Sequence, residues 1–206
     1  YIAGVFGARI CAAISREAPR VVLRFAPQGE EDVSALRDGR LDLEIGVIGT
    51  TGPEIRVQAL FRDRFVGVVR TGHPLTKGRV TAQRFSAVAH VGASRRGRSE
   101  GPIDQALAAC GLARRVAFVV PDFYAALFAA AGSDVAAAVP KHVAAGARAL
   151  GLGVAFFDLP VAVPAITVAQ AWHPRYDNDA GHRWLRQTVR QTIIAVDADV
   201  RNFKRR

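Results

Sequence analysis

The stretch Phe61-Arg62-Asp63-Arg64-Phe65-Val66-Gly67-Val68-Val69-Arg70-Thr71-Gly72-His73-Pro74-Leu75 constrains the fold most. Phe65 to Val69 is a short apolar run rich in β-branched residues, the pattern of a buried strand. Thr71-Gly72-His73-Pro74 stops it. Proline has no N–H to give a ladder, and it biases the residue before it away from helix.

Strands and helices alternate around this stretch. Ala8 to Ala18 reads as a helix, with Ile10, Ala13, Ile14 and Ala18 at three- and four-residue spacing and Pro19 as its stop. Val21 to Ala26 reads as a strand and Pro27-Gln28-Gly29 as a turn. Glu30, Glu31 and Asp32 suit the partially positive start of a helix that runs to Asp38, where Gly39 supplies a left-handed cap. Leu41 to Ile48 and Ile55 to Leu60 read as strands. Beyond Leu75 come a helical turn capped by Thr81, a strand over Ala87 to Val91, a polar Arg-rich loop over Gly92 to Gly101, and a helix over Ile103 to Ala109 closed by Gly111. Strand Val116 to Val120, helix Phe123 to Ala131 capped by Asp122, strand Val135 to Val139, helix Lys141 to Leu150 and strand Val154 to Phe157 follow. Ala165 to Ala171 is a further strand, and Asp179 caps a final helix with Trp184 or Leu185, Val189 and Ile193 inward. Such alternation implies an α/β fold with at least partly parallel sheets.

Three passages carry a family resemblance. Phe61 to Leu75 is similar to the "F-x-D-x-F-V-x-V-x-R-x-x-H-P-L" passage of the effector-sensing domain of LysR-type transcriptional regulators. Pro19 to Leu43 is similar to that family's "P-x-V-x-L" leading to "L-x-x-G-x-L-D". Trp172 to Arg186 resembles the "W-H-x-R-x-x-x-D-x-x-H-x-W-L-R" of one of its branches. The resemblance implies two Rossmann-like subdomains of the type II periplasmic-binding-protein kind, joined by two crossover strands. It places residues 1–70 and 166–206 in one subdomain and 71–165 in the other. It implies a small effector of anionic class held in the cleft between them, a homodimer with a tetramer open to the full-length protein, and a cytoplasmic location. DNA would be bound only through a winged helix-turn-helix lying before Tyr1, and no membrane would be involved. The chain has no initiator Met, and the strand with which family members begin is absent or reduced to Tyr1-Ile2. The helix Ala8 to Ala18 is expected in the dimer interface, with Ile10 and Ile14 as its apolar face. A solute-binding protein of a transport system shares the fold and is the alternative.

Composition fits this reading. At 206 residues, with 50% hydrophobic and 22% charged, the chain can bury a real core. No apolar run reaches the ~20 residues of a membrane span. The formal charge of +10 comes from 28 Lys and Arg against 18 Asp and Glu, mostly scattered, with clusters at Arg95-Arg96-Gly97-Arg98, Arg114-Arg115 and the tail Arg201, Lys204, Arg205 and Arg206. No aromatic-interleaved basic stripe accompanies them. Cys11 and Cys110 stand far apart without ligand-spaced neighbours, so two free, buried thiols are expected rather than a disulfide or zinc site. No nucleophile elbow, Walker pattern, Gly-x-Gly-x-x-Gly or His-Glu-x-x-His is present, so no enzyme, cofactor or metal is expected. His173, His182 and Trp184 read as packing residues of a terminal helix.

A binding site has a physical basis where loops meet helix N-termini at the carboxyl ends of strands. The candidates are Tyr1, Ile2, Gln28, Gly29, Ser94, Arg95, Arg96, Phe123 and Tyr124. A hydroxyl beside guanidinium groups can hold an anion, which singles out Ser94, Arg95 and Arg96. The competing reading is a solvated loop with arginines in water, and Phe123 and Tyr124 suit a core equally well. Arg70 and Arg175, at strand ends, are weaker candidates.

Overall fold

The computed structural model describes residues 1–26, 34–49 and 51–202. The expected turn at Pro27-Gln28-Gly29, the acidic helix start at Glu30-Glu31-Asp32 and the tail from Lys204 lie outside the described residues. The chain divides into two compact units, one of Tyr1 with Asp63–Ala165, the other of Ile2–Arg62 with Ile166–Arg206.

The helices of the second unit are α1 (Ile2–Glu17), α2 (Ser34–Arg37) and α7 (Ala180–Asn202). Its strands β1 (Glu44–Gly46), β2 (Arg56–Asp63) and β8 (Ile166–Trp172) form a sheet in the order β1-β8-β2, with β1 antiparallel to β8. Helix α1 begins six residues before the expected start at Ala8. Ile2, Phe6, Ile10 and Ile14, four apart, are all buried, and that stripe outweighs the low helix propensity of Gly4 and Gly7. Ile10 and Ile14 are each 1% exposed, so they are core and not the exposed apolar face expected of them. The expected strand Val21–Ala26 does not form. Val22 is 90% exposed, and this segment has no neighbouring strand among the described residues to complete a ladder. Cys11 and Cys110 are free but exposed, not buried: Cys11 lies on the outer side of α1, and Cys110 in the turn before Gly111.

The first unit contains β3 (Phe65–Arg70), α3 (Ala82–Ala87), β4 (Ala89–Ala93), α4 (Pro102–Ala108), β5 (Arg115–Val120), α5 (Phe123–Ala131), β6 (Val135–Pro140), α6 (Lys141–Ala149) and β7 (Val154–Asp158). The strand order is β5-β4-β6-β3-β7. Strand β4 runs parallel to β5 and β6, while β3 is antiparallel to β6 and β7. Every residue of β6 is buried, as its unbroken apolar run requires. Gly67 in β3 makes room for the Phe157 ring on β7, which a Cβ there would overlap. The core contains Val69, Leu75, Phe85, Leu107 and Ala136.

Local signals act as their chemistry dictates. Thr81 accepts from the Arg84 N–H at 3.3 Å, Asp122 from Tyr124 and Ala125, and Asp179 from His182. The two His-Pro pairs share one device. The Nδ1 atoms of His73 and His173 accept from the N–H two residues on, at 3.0 and 3.2 Å, and so cap a short 3-10 turn after β3 and after β8. His182 Nε2 is 2.8 Å from the Asp42 carbonyl, and Trp184 donates to Glu17 at 2.7 Å, so both are structural residues of their own unit.

Candidate functional site

Strand order reverses at β4. The chain leaves it through α4 to β5 on one side, then returns through α5 to β6 on the other. Right-handed crossovers in opposite directions place α4 and α5 on opposite faces, which opens a crevice at the carboxyl end of β4. A cavity of about 250 Å³ lies there, inside the first unit. Val91, Gly92 and Ala93 of β4 line it together with Phe65, Ile103, Phe123 and Val163.

Ser94 stands at the strand end. Its N–H donates to the Val120 carbonyl at 2.8 Å, which ties the loop to β5. Its Oγ accepts from the Arg98 N–H at 3.0 Å, and its carbonyl accepts from Gly97, whose φ of 65° is the left-handed turn that glycine permits. The loop is therefore wrapped around Ser94, and Ser94, Arg98 and Ser99 line the cavity. Gly92 keeps β4 thin, since a Cβ there would press on Val116 and Val119 at 3.4 Å.

Of the residues singled out from sequence, the structure brings Ser94 and Phe123 to the cavity. Arg95 and Arg96 are exposed and do not line it; Arg98 from the same cluster does. Tyr124 donates its hydroxyl to the Tyr1 carbonyl at 2.9 Å, and burial, aided by the Asp122 charge, pushes its pKa up to about 12. Tyr1 stands edge-on to Phe123 at 6.3 Å and donates to Asp63 at 2.7 Å. Ile2 is a buried residue of α1 in the other unit. Gln28 and Gly29 lie outside the described residues. Arg70 is paired with Asp134, and Arg175 donates to the Arg37 carbonyl.

Two polar groups escaped the sequence reading. Asp63, 3% exposed, has His142 Nδ1 at 2.9 Å and accepts from the Arg64 N–H at 2.8 Å. Burial works to raise its pKa, but His142 and the other donors outweigh it and hold the carboxyl below its ordinary range. Asp104 and Arg114 form the second group, a bidentate pair at 2.8 Å on both bonds. Partners 79 and 10 residues apart leave no local sequence signature. Among the described residues no cluster of His, Cys, Asp and Glu suits a metal ion, and no helix is long and apolar enough to cross a membrane.

A family model described as the LysR substrate binding domain matches residues 1–193. The chain belongs to the LysR substrate-binding domain family. Among curated relatives, the HTH-type transcriptional activator NagR of Ralstonia sp is 29% identical over 85% of this chain and 58% of its own length. The HTH-type transcriptional regulator LinR of Sphingobium indicum is 31% identical over 87% of this chain and 59% of its own. This LysR domain thus spans less than two thirds of these relatives, which are named as transcriptional regulators and not enzymes. Its fold is that of the regulatory domain of MexT from Pseudomonas aeruginosa, with a TM-score of 0.82 and 24% identity over 93% of this chain and 94% of that one. The mixed sheets described above are accordingly those of the type II periplasmic-binding-protein-like fold shared by LysR effector-binding domains.

Proposed function

We propose that this LysR substrate-binding domain is the sensing part of a cytoplasmic transcriptional regulator, and that the cavity at the end of β4 takes a small anionic effector. The observation that carries the reading is the cavity's place at the strand-order reversal, with a serine whose loop is wrapped around it and an apolar lining behind. The effector binds one conformation of the domain better than another and shifts a pre-existing equilibrium. A helix-turn-helix elsewhere in the full protein reads that shift, and the domain works as a homodimer. The solute-binding alternative shares the fold but has no support in the family match.

The test is a thermal-shift titration with a panel of small carboxylates and phosphates. Wild type is set beside Ser94→Ala and the cavity-filling Val163→Trp. A hit stabilises wild type, binds Ser94→Ala roughly 2- to 10-fold more weakly for one lost neutral hydrogen bond, and does not bind Val163→Trp. A hit that binds all three alike refutes the site.

A further inference from the structure

Among the described residues, the cavity at the end of β4 has one buried cation on its wall. Arg114, just before β5, has only 6% of its side chain exposed, and it lines the cavity. Its Nε and Nη2 donate to the two oxygens of Asp104, each at 2.8 Å. Asp104 also accepts from the Gly101 N–H at 2.8 Å. Burial works to raise the Asp104 pKa, but Arg114 and the N–H groups outweigh it, so the carboxyl stays below its ordinary range and keeps its charge. The carboxylate is thereby occupied on both oxygens, while Nη1 of Arg114 makes no hydrogen bond among the described residues. A guanidinium is a rigid plane, so pairing through Nε and Nη2 fixes the direction of Nη1. Arg95, Arg96 and Arg98 are exposed, where water and salt compete with any ligand.

We propose that Arg114 is the anion-binding residue of this cavity: its Nη1 donates to a carboxylate of the effector, and Asp104 holds the guanidinium in place. The inference rests on the cavity being the effector site. It commits to a ligand class, a monocarboxylate with an apolar body. A single oriented N–H pair suits one carboxylate, and Phe65, Val91, Ile103 and Phe123 offer the apolar part of the lining to the ligand's body, the polar part being Ser94, Arg98, Ser99 and Glu100 on the loop after β4.

The probes are hexanoate and cyclohexanecarboxylate, each beside its neutral primary amide, titrated calorimetrically. Wild type is compared with the double variant Arg114→Gln/Asp104→Asn, with Arg114→Lys, and with Val163→Trp. The double variant removes both charges together and keeps an amide donor against an amide acceptor; Arg114→Lys keeps the charge for Asp104 but loses the fork, and serves if the double variant does not fold. Wild type should bind each acid at least about 10-fold tighter than its amide, as one charge-assisted bond provides. The double variant and Arg114→Lys should bind acid and amide within about 3-fold of each other, and Val163→Trp should bind neither. Folded Arg114 variants that keep the wild-type ratio overturn the inference, as does a wild type that shows no such ratio or binds no probe. Acid and amide binding that Val163→Trp blocks, with the ratio unchanged at Arg114, removes Arg114 alone and leaves the cavity as the site. Binding that survives Val163→Trp removes both.

Discussion

Acid should unfold the first unit through His90. This residue, on β4, is fully buried, and its ring stands edge-on to Phe85 at 4.6 Å. Its Nε2 is 2.8 Å from the Phe85 carbonyl and so carries the ring proton, while Nδ1 has no partner among the described residues. A second proton would enter Nδ1 with no acceptor. Burial therefore drags the pKa from 6.5 to about 4, opposed in part by the bond to Phe85. Between those values the unfolded chain binds a proton that the folded chain does not. Stability is fully present above the unfolded pKa and is lost as pH falls through this window. At 1.36 kcal/mol per pH unit the full loss is ~3 kcal/mol, of which ~2 kcal/mol falls between about pH 7 and about pH 4.5. His90→Gln keeps a donor able to reach the Phe85 carbonyl and does not titrate. Urea unfolding followed by far-UV circular dichroism at those two pH values reads the difference. Asp63 and Asp104, both held below the carboxylate range, lose their contribution only at lower pH and equally in both proteins. Wild type should lose ~2 kcal/mol more than His90→Gln on acidification. Equal losses would refute the reasoning, because the buried ring would then be taking up its proton without penalty.

Gly67→Ala should cost ~1–3 kcal/mol, since the Phe157 ring over β3 is rigid and has to move; an unchanged urea midpoint would show that the ring can be displaced freely. Asp122→Ala removes the acceptor of the Tyr124 and Ala125 N–H groups at 2.8 and 2.9 Å and should cost ~1 kcal/mol, read as a lower thermal midpoint, while Asp122→Asn restores most of it.

The sequence by itself determined every feature whose cause lies within a few residues. β-branched runs became β3 and β8, because a buried pleated surface accepts such residues wherever it is placed. Thr81, Asp122 and Asp179 became caps, because each acceptor reaches an N–H two or three residues ahead. The strand at Val21–Ala26 had the same local credentials and did not form, because a ladder needs a second strand that no local pattern supplies. The start of α1 depended on Ile2 and Phe6 finding a core to enter, which offset two glycines. Tertiary structure also decided which arginine meets the cavity. Arg95 and Arg96, the arginines singled out from sequence, sit on an exposed loop and do not line it, and Arg98 lines it from that same exposed loop, whereas Arg114 reaches it buried and paired with Asp104 of α4. A charge written in sequence has no address until packing removes water from around it, and packing is a property of elements brought together from distant parts of the chain.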